Sequence, residues 1–258
     1  MEQLVDYASS DDSSDDSSNY CEEEVKMYLW WRVDERDMGH VRGGWSGHVR
    51  LRIDGRSREQ LQAVGLACIK AIRTRTDDDS SDGQTMAKGW HVQDAVLLDS
   101  PHISLTRAFY VQEHQIQPFV RAVEACVADV GAFGVGFGGM QAFANERGDR
   151  VFVAVAIKHG ADAVRQVLER VDRVMERFDK RVFFRHARLH ASVVRMEMEP
   201  SAGAGGLERG RQIARGVGAA VGRQMEEEMV QLLEVARIDS LECIFGNRRF
   251  CIALGQQL

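Results

Sequence analysis

Two short stretches of the chain carry side chains suited to one kind of chemistry. His102-Ile103-Ser104-Leu105 and His190-Ala191-Ser192-Val193 both read His-x-Ser followed by an aliphatic residue, 88 positions apart. In a β-strand, side chains i and i+2 leave the same face. Each histidine would therefore emerge beside its own serine. Two imidazoles and two hydroxyls facing a common cleft can move protons around a phosphate without a metal ion. A single His-x-Ser is a common accident of composition. A pair at matching places in a repeated order of elements carries more weight.

The surrounding periodicities supply that order. His48–Ile53 alternates polar and apolar residues as a half-buried strand does, with Gly43–Gly47 read as the turn leading into it. Residues 58–74 place Leu61, Val64, Cys68, Ala71 and Ile72 on one helical stripe. Thr76–Gly83 reads as an acidic surface loop, His91–Leu98 as a possible strand, and about 100–106 as the first motif strand. Residues 113–130 are a helix, with Pro118 in its early turns. Gly131–Gly139 reads as a loop and irregular strand; no helix with dinucleotide-loop spacing follows it. Strands at 140–145 and 150–158 flank Glu146-Arg147-Gly148-Asp149 as a hairpin. A helix over 161–179 then precedes the second motif strand, about 188–196. Ser201–Gly206 is a flexible loop, 208–234 a helix with Glu226–Glu228 on its solvated face, and 238–245 and 248–254 are strands joined by Gly246-Asn247.

The order is strand, helix, His-x-Ser strand, helix, strand, and then the same five again from Arg150. Such a duplication predicts two lobes, about 27–149 and 150–258, with strand exchange between them allowed, related by a pseudo-twofold axis that brings the motifs face to face. The other six histidines, His40, His48, His91, His114, His159 and His186, show no such partnering in the sequence.

Composition narrows the classes. The 258 residues suffice for one large domain or two lobes with a real core. No apolar run reaches the ~18 residues of a membrane span, and the N-terminus lacks the pattern of a secretory signal. The five cysteines form no Cys-x-x-Cys pair and no metal-ligand spacing, so they read as reduced, mostly core residues of an intracellular protein. Residues 1–26 are a Ser/Asp run too poor in apolar groups to order itself. The net charge of −6 arises there: residues 1–24 hold nine of the 39 acids and no Lys or Arg, so 30 acids face 33 basic residues in the remainder. A mildly basic body suits a polyanion without demanding one.

The sequence resembles the U6 small nuclear RNA 3′-end phosphodiesterase family of the two-histidine (2H) phosphoesterase superfamily. Besides the two motifs, the likeness covers Gly44–Val49, Ser100–Leu105, Gln117–Val120, Val171–Phe178, Val182–Phe184 and Gly246–Phe250, with a similar Leu4-Val5-Asp6-Tyr7 opening. It runs nearly the whole chain in the right order. Two departures stand out. The family commonly has a tyrosine six residues before the second histidine, where this chain has Phe184, and its second motif often continues Leu-Ala-Trp, against Val193-Val194-Arg195 here.

The resemblance implies an α+β fold of two pseudosymmetric lobes, antiparallel sheets lining a central cleft and helices outside. It implies a 3′-to-5′ exoribonuclease, with His102 and His190 as general base and acid and Ser104 and Ser192 as phosphate donors. Phe184 would stack on a base, and Arg185, Arg188 and Arg195 would reach backbone phosphates. No cofactor or metal is called for. The expected partner is the single-stranded 3′ end of U6 small nuclear RNA, bound by a nuclear monomer with no membrane attachment. Two other readings stay open: another 2H enzyme acting on cyclic phosphates or 2′-5′ linked nucleotides, and a catalytically silent RNA-binding module.

Overall fold

The computed structural model describes residues 44–78, 95–145, 150–197 and 233–255, together with Glu208, Arg211, Ala214, Arg215 and Val221. The predicted tail 1–26, most of the acidic loop 76–83, the Glu146–Asp149 turn, the Ser201–Gly206 loop and Glu226–Glu228 lie outside these residues.

The alternating run near residue 50 forms β1, Gly44–Arg52. It begins four residues before the expected strand, so Gly44–Gly47 is strand rather than turn. Gly47 is there for contact: a Cβ would lie 2.7 Å from the Phe109 ring and 2.9 Å from that of Phe245. Helix α1 follows (Gly55–Asp78), then strands β2 (Ala95–Leu97), β3 (His102–Ser104) and β4 (Phe109–Gln112). Helix α2 (Glu113–Val127) starts where the Gln112 amide donates to Gln115 Oε1 at 2.9 Å. Strand β5 (Phe133–Ala144) absorbs the glycine-rich run, with register shifts between Gly136 and Met140. Strand β6 (Arg150–His159), helix α3 (Ala161–Arg177) and strand β7 (His190–Glu197) complete the second motif region. Strand β8 (Ala236–Ile238) breaks from β9 (Ser240–Phe245) at Asp239, and Gly246, at φ +59°, turns β9 into β10 (Arg248–Ala253).

All the strand pairings among the described residues are antiparallel, along the path β10-β9-β1-β3-β7-β6-β5-β8, with β2 on β7 and β4 on β1. The central six strands, β9-β1-β3 and β7-β6-β5, mirror one another about the β3–β7 junction. In this correspondence β1 matches β6, β3 matches β7, and β9 matches β5. The last strand of each sequence copy therefore lies in the half of the sheet built by the other copy: β9 pairs with β1, and β5 with β6.

One sheet face carries Val49, Leu51, Ile103, Ala191, Val153 and Val155, each with no exposed surface. The helices cover it with their own stripes: Leu61, Val64 and Cys68 from α1, Ile116, Phe119 and Val123 from α2, and Val164, Val167, Val171 and Met175 from α3. Each such side chain gains on the order of 1.5–3 kcal/mol from burial. Alternation then sends His48, Arg50 and Arg52 of β1, His102 and Ser104 of β3, and His190 and Ser192 of β7 to the opposite face.

Candidate active site

The two motif strands meet at one residue pair, Ile103 opposite Ala191. These are the middle residues of the two motifs. In an antiparallel register this sets His102 across from Ser192 and Ser104 across from His190, all four on one face. The sheet thus assembles the site from its own pleat.

Each imidazole is fixed in the same way. His102 Nδ1–H donates to the Ser100 carbonyl at 2.8 Å, and His190 Nδ1–H to the Arg188 carbonyl at 2.6 Å. Both acceptors lie two residues upstream of the histidine. Each ring therefore keeps Nε2 as its proton-accepting atom, the tautomer a general base requires. Burial lowers the His102 pKa to about 4, with the Arg50 guanidinium and His190 adding to the effect. Burial also lowers that of His190.

The two halves differ in what surrounds the motifs. Arg50 stands opposite Ser104 and Arg52 opposite His102. At the matching places in the other half, Ala154 stands opposite Ser192 and Ala156 opposite His190. Arg50 Nη1 lies 3.2 Å from His102 Nδ1. With the Nδ1 proton committed to Ser100, Arg50 acts on the ring as a neighbouring charge rather than as a donor. Arg50 is itself held by Glu242 at 2.8 Å, both residues being buried. On the other side the Phe143 ring stacks on His190, with centroids 4.3 Å apart and planes at 21°.

The remaining expected residues fall at the margin. Phe184 is 38% exposed and lies under the Arg107 guanidinium, 4.0 Å from the ring centroid, with Phe183 edge-on to it. One aromatic face is thus backed by a cation, an arrangement in which a partly exposed ring can take a second planar group. Arg185 and Arg188 are exposed. Arg195 is ion-paired to Glu197 at 3.1 Å. The register shift between Val153 and Ala154 places Ser192 opposite Ala154 and Arg195 opposite Phe152. Arg195 thereby returns to the face of Ser192, which simple alternation would deny it.

One expectation is corrected. His48 does have a partner in the site: its Nε2 lies 3.2 Å from Ser104 Oγ, and its ring meets that of His102 edge-on at a centroid distance of 5.4 Å. The sequence holds a signal for this in His48-x-Arg50-x-Arg52, three polar residues on one strand face. Without the sheet order, that face reads as solvent. Among the other histidines, His114 lies in the first turn of α2 and His159 is exposed at the end of β6. The described residues contain no group of His, Cys, Asp and Glu arranged to hold a metal ion, and Cys68, Cys126, Cys243 and Cys251 are free thiols, the last of them exposed. No helix among the described residues is long and apolar enough to cross a membrane.

The antiparallel α+β fold thus carries two pseudosymmetric His-x-Ser strands side by side at its centre. The structure of Usb1 from Kluyveromyces marxianus superimposes over 82% of this chain and 97% of its own, with a TM-score of 0.53 at 15% identity, a likeness of fold. The family model HVSL, described as an uncharacterised conserved protein, matches residues 33–253, and the chain belongs to that family. It is similar to U6 snRNA phosphodiesterase 1 of Bos taurus, 26% identical over 64% of this chain and 57% of the relative. The Homo sapiens protein of that name is 25% identical over 61% of this chain and 53% of its own length. The matched region thus spans little more than half the length of these relatives. The family resemblance seen in the sequence is borne out.

Proposed function

We propose that this protein is an RNA phosphodiesterase that trims single-stranded 3′ ends, with the uridine-rich tail of U6 small nuclear RNA as its substrate and the nucleus as its place of work. The observation that carries the reading is the assembly of both His-x-Ser pairs about one junction pair, each Nδ1 fixed by a carbonyl. The names of the bovine and human relatives support the substrate. So does the structure of Kluyveromyces marxianus Usb1 with uridine monophosphate.

In this mechanism a ribose 2′-hydroxyl attacks the adjacent phosphorus and the 5′-oxygen of the next nucleotide leaves. His102 Nε2 takes the 2′-proton and His190 protonates the leaving oxygen. Ser104 and Ser192 donate to the non-bridging oxygens, stabilising charge that grows in the transition state. The first product carries a 2′,3′-cyclic phosphate, which in a second step can open to a 3′-phosphate. Phe184 stacks on a terminal base, and Arg185, Arg188 and Arg195 approach the backbone.

The unequal surroundings favour this division of labour. Arg50 disfavours a second positive charge on His102, whereas no arginine lies opposite His190 in the register. A larger share of molecules then carries a neutral His102 and a charged His190 than the reverse. The pH dependence follows from the same shifts. His102 stays neutral down to about pH 4, which sets the acid limb. His190 must be protonated, and its lowered pKa puts the alkaline limb of kcat/KM below the ordinary imidazole value of about 6.5. Bound phosphodiester stabilises the imidazolium, so the alkaline limb of kcat should lie at higher pH than that of kcat/KM. Initial rates from pH 3.5 to 9 check this; a kcat/KM limb above pH 7 would contradict it.

The reaction itself is tested with a 5′-labelled oligonucleotide ending in uridines, in EDTA, beside the same RNA carrying a 2′-deoxy sugar just 5′ of the terminal nucleotide. Shortening of the first and resistance of the second are expected. Shortening of both would mean an external nucleophile and overturn the mechanism. Shortening of neither would overturn the substrate and turn attention to small cyclic phosphates.

A further inference from the structure

The third histidine at the centre of the sheet has a position but no role in the reaction just described. His48 lies on β1 two residues before Arg50, which stands opposite Ser104. Its Nε2 reaches Ser104 Oγ at 3.2 Å. Burial, followed by the charges of His102 and Arg50, lowers its pKa to about 3. The ring is therefore neutral wherever the enzyme works and carries a single N–H.

Two arrangements satisfy the 3.2 Å contact. In one, Ser104 donates its hydroxyl proton to His48 Nε2. The serine then has only lone pairs left for a phosphate oxygen, and lone pair would face lone pair. In the other, His48 Nε2–H donates to Ser104 Oγ, and the serine proton remains free to point at the phosphate. Only the second allows Ser104 to stabilise phosphoryl charge. A hydroxyl that accepts one hydrogen bond while donating another is also polarised into a better donor.

The pseudosymmetry sharpens the case. The residue of β6 that corresponds to His48 is Phe152, two positions before Ala154, which stands opposite Ser192. A phenyl ring has no N–H to give. The two serines are thus unequal by construction. We infer that His48 is a positioning residue: as the Nε2–H tautomer it holds the Ser104 hydroxyl with its proton directed at one non-bridging oxygen of the substrate. The inference deepens the proposed phosphodiesterase reaction and rests on it for the identity of the substrate, though not for the contact itself.

Two measurements test it. The first is kinetic, on the 3′-uridine RNA. His48→Leu should lower kcat about tenfold, the worth of one well-made hydrogen bond to the reacting assembly, with little change in KM. His48→Gln, whose side-chain amide can present an N–H to the same oxygen, should recover most of the loss. In a Ser104→Ala background, His48→Leu should cost less than about twofold, because the group it positions is gone. An equal loss in both backgrounds, or equal damage from Leu and Gln, would overturn the inference.

The second measurement needs neither turnover nor a variant. Nitrogen-15 spectra of the histidine rings should show His48 neutral and Nε2-protonated from pH 5 to 8. An Nδ1-protonated or charged His48 would overturn the assignment whatever the substrate proves to be. Failure of wild-type protein to cut RNA would count against the proposed substrate alone.

Discussion

His102→Ala or His190→Ala should each lower the rate of RNA cleavage at least ~10³-fold, with the protein still folded. General acid or base transfer by a placed side chain is worth ~10²- to 10⁴-fold. In the proposed mechanism each histidine also supports the charge balance of the other, since the imidazolium that donates the proton would face the imidazole that accepts one. The two substitutions together should therefore cost little more than either alone, as expected of groups that act as a unit. The fold should tolerate both. Each ring is half-buried, and its Nδ1 bonds to a carbonyl two residues upstream. Ser104→Ala and Ser192→Ala should be milder, on the order of 10²-fold, the usual cost of one lost oxyanion donor. Single-turnover rates on a uridine-ending RNA, read beside thermal unfolding, check the set. A histidine variant that retained a tenth of the wild-type rate would sink the two-histidine mechanism.

Much of this site was legible in the sequence because it obeys a short-range rule. The i, i+2 geometry of a strand fixes His102 with Ser104 and His190 with Ser192 wherever the strands go, and the repeated order of elements points to their meeting. Helices α2 and α3 were equally readable: Ile116, Phe119, Val120, Val123 and Val127, and Val164, Val167, Leu168, Val171, Val174 and Met175, keep helical spacing and are all buried. What could not be read depends on which strands become neighbours. Arg50 meets Glu242 across 192 positions of sequence, and nothing local marks either as a partner. The duplication leaves room for strand exchange between the lobes, but that β5 and β9 are the strands exchanged is hidden for the same reason, since an apolar strand carries no label for the copy it will join. His48 lies on a strand face that looks solvated until β3 is laid against it. Arg195 needed the register shift between Val153 and Ala154, an irregularity of hydrogen bonding that side-chain type does not announce.

Glu242→Gln should destabilise the protein by ~3–5 kcal/mol, the cost of leaving one member of a buried ion pair without its partner. Arg50 and Glu242 are 7% and 8% exposed and meet at 2.8 Å. Arg52 Nε stands 3.7 Å from the other oxygen of the same carboxylate. Neutralising Glu242 leaves the Arg50 guanidinium buried, with Ser100 Oγ 3.4 Å away and His102 Nδ1 3.2 Å away. For a domain of this size the loss corresponds to a fall in Tm of ~6–20 °C. The effect on chemistry should be much smaller. The Glu242 charge is a minor influence raising the His102 pKa, which burial already holds at about 4. Its removal can only keep His102 neutral to still lower pH, so kcat near neutrality should change less than about threefold while the acid limb of the rate profile moves down. Replacing the pair together, as Arg50→Met with Glu242→Leu, should recover part of the stability, because a buried pair is often no better than apolar side chains of similar volume. The double variant should nonetheless bring the His102 pKa up, since the guanidinium that lowers it is gone. Urea unfolding of the three variants beside their pH–rate profiles separates these roles. A Glu242→Gln protein within 1 kcal/mol of wild type would show that the pair is solvated in solution, and an unmoved acid limb in the double variant would show that Arg50 does not set the charge state of His102.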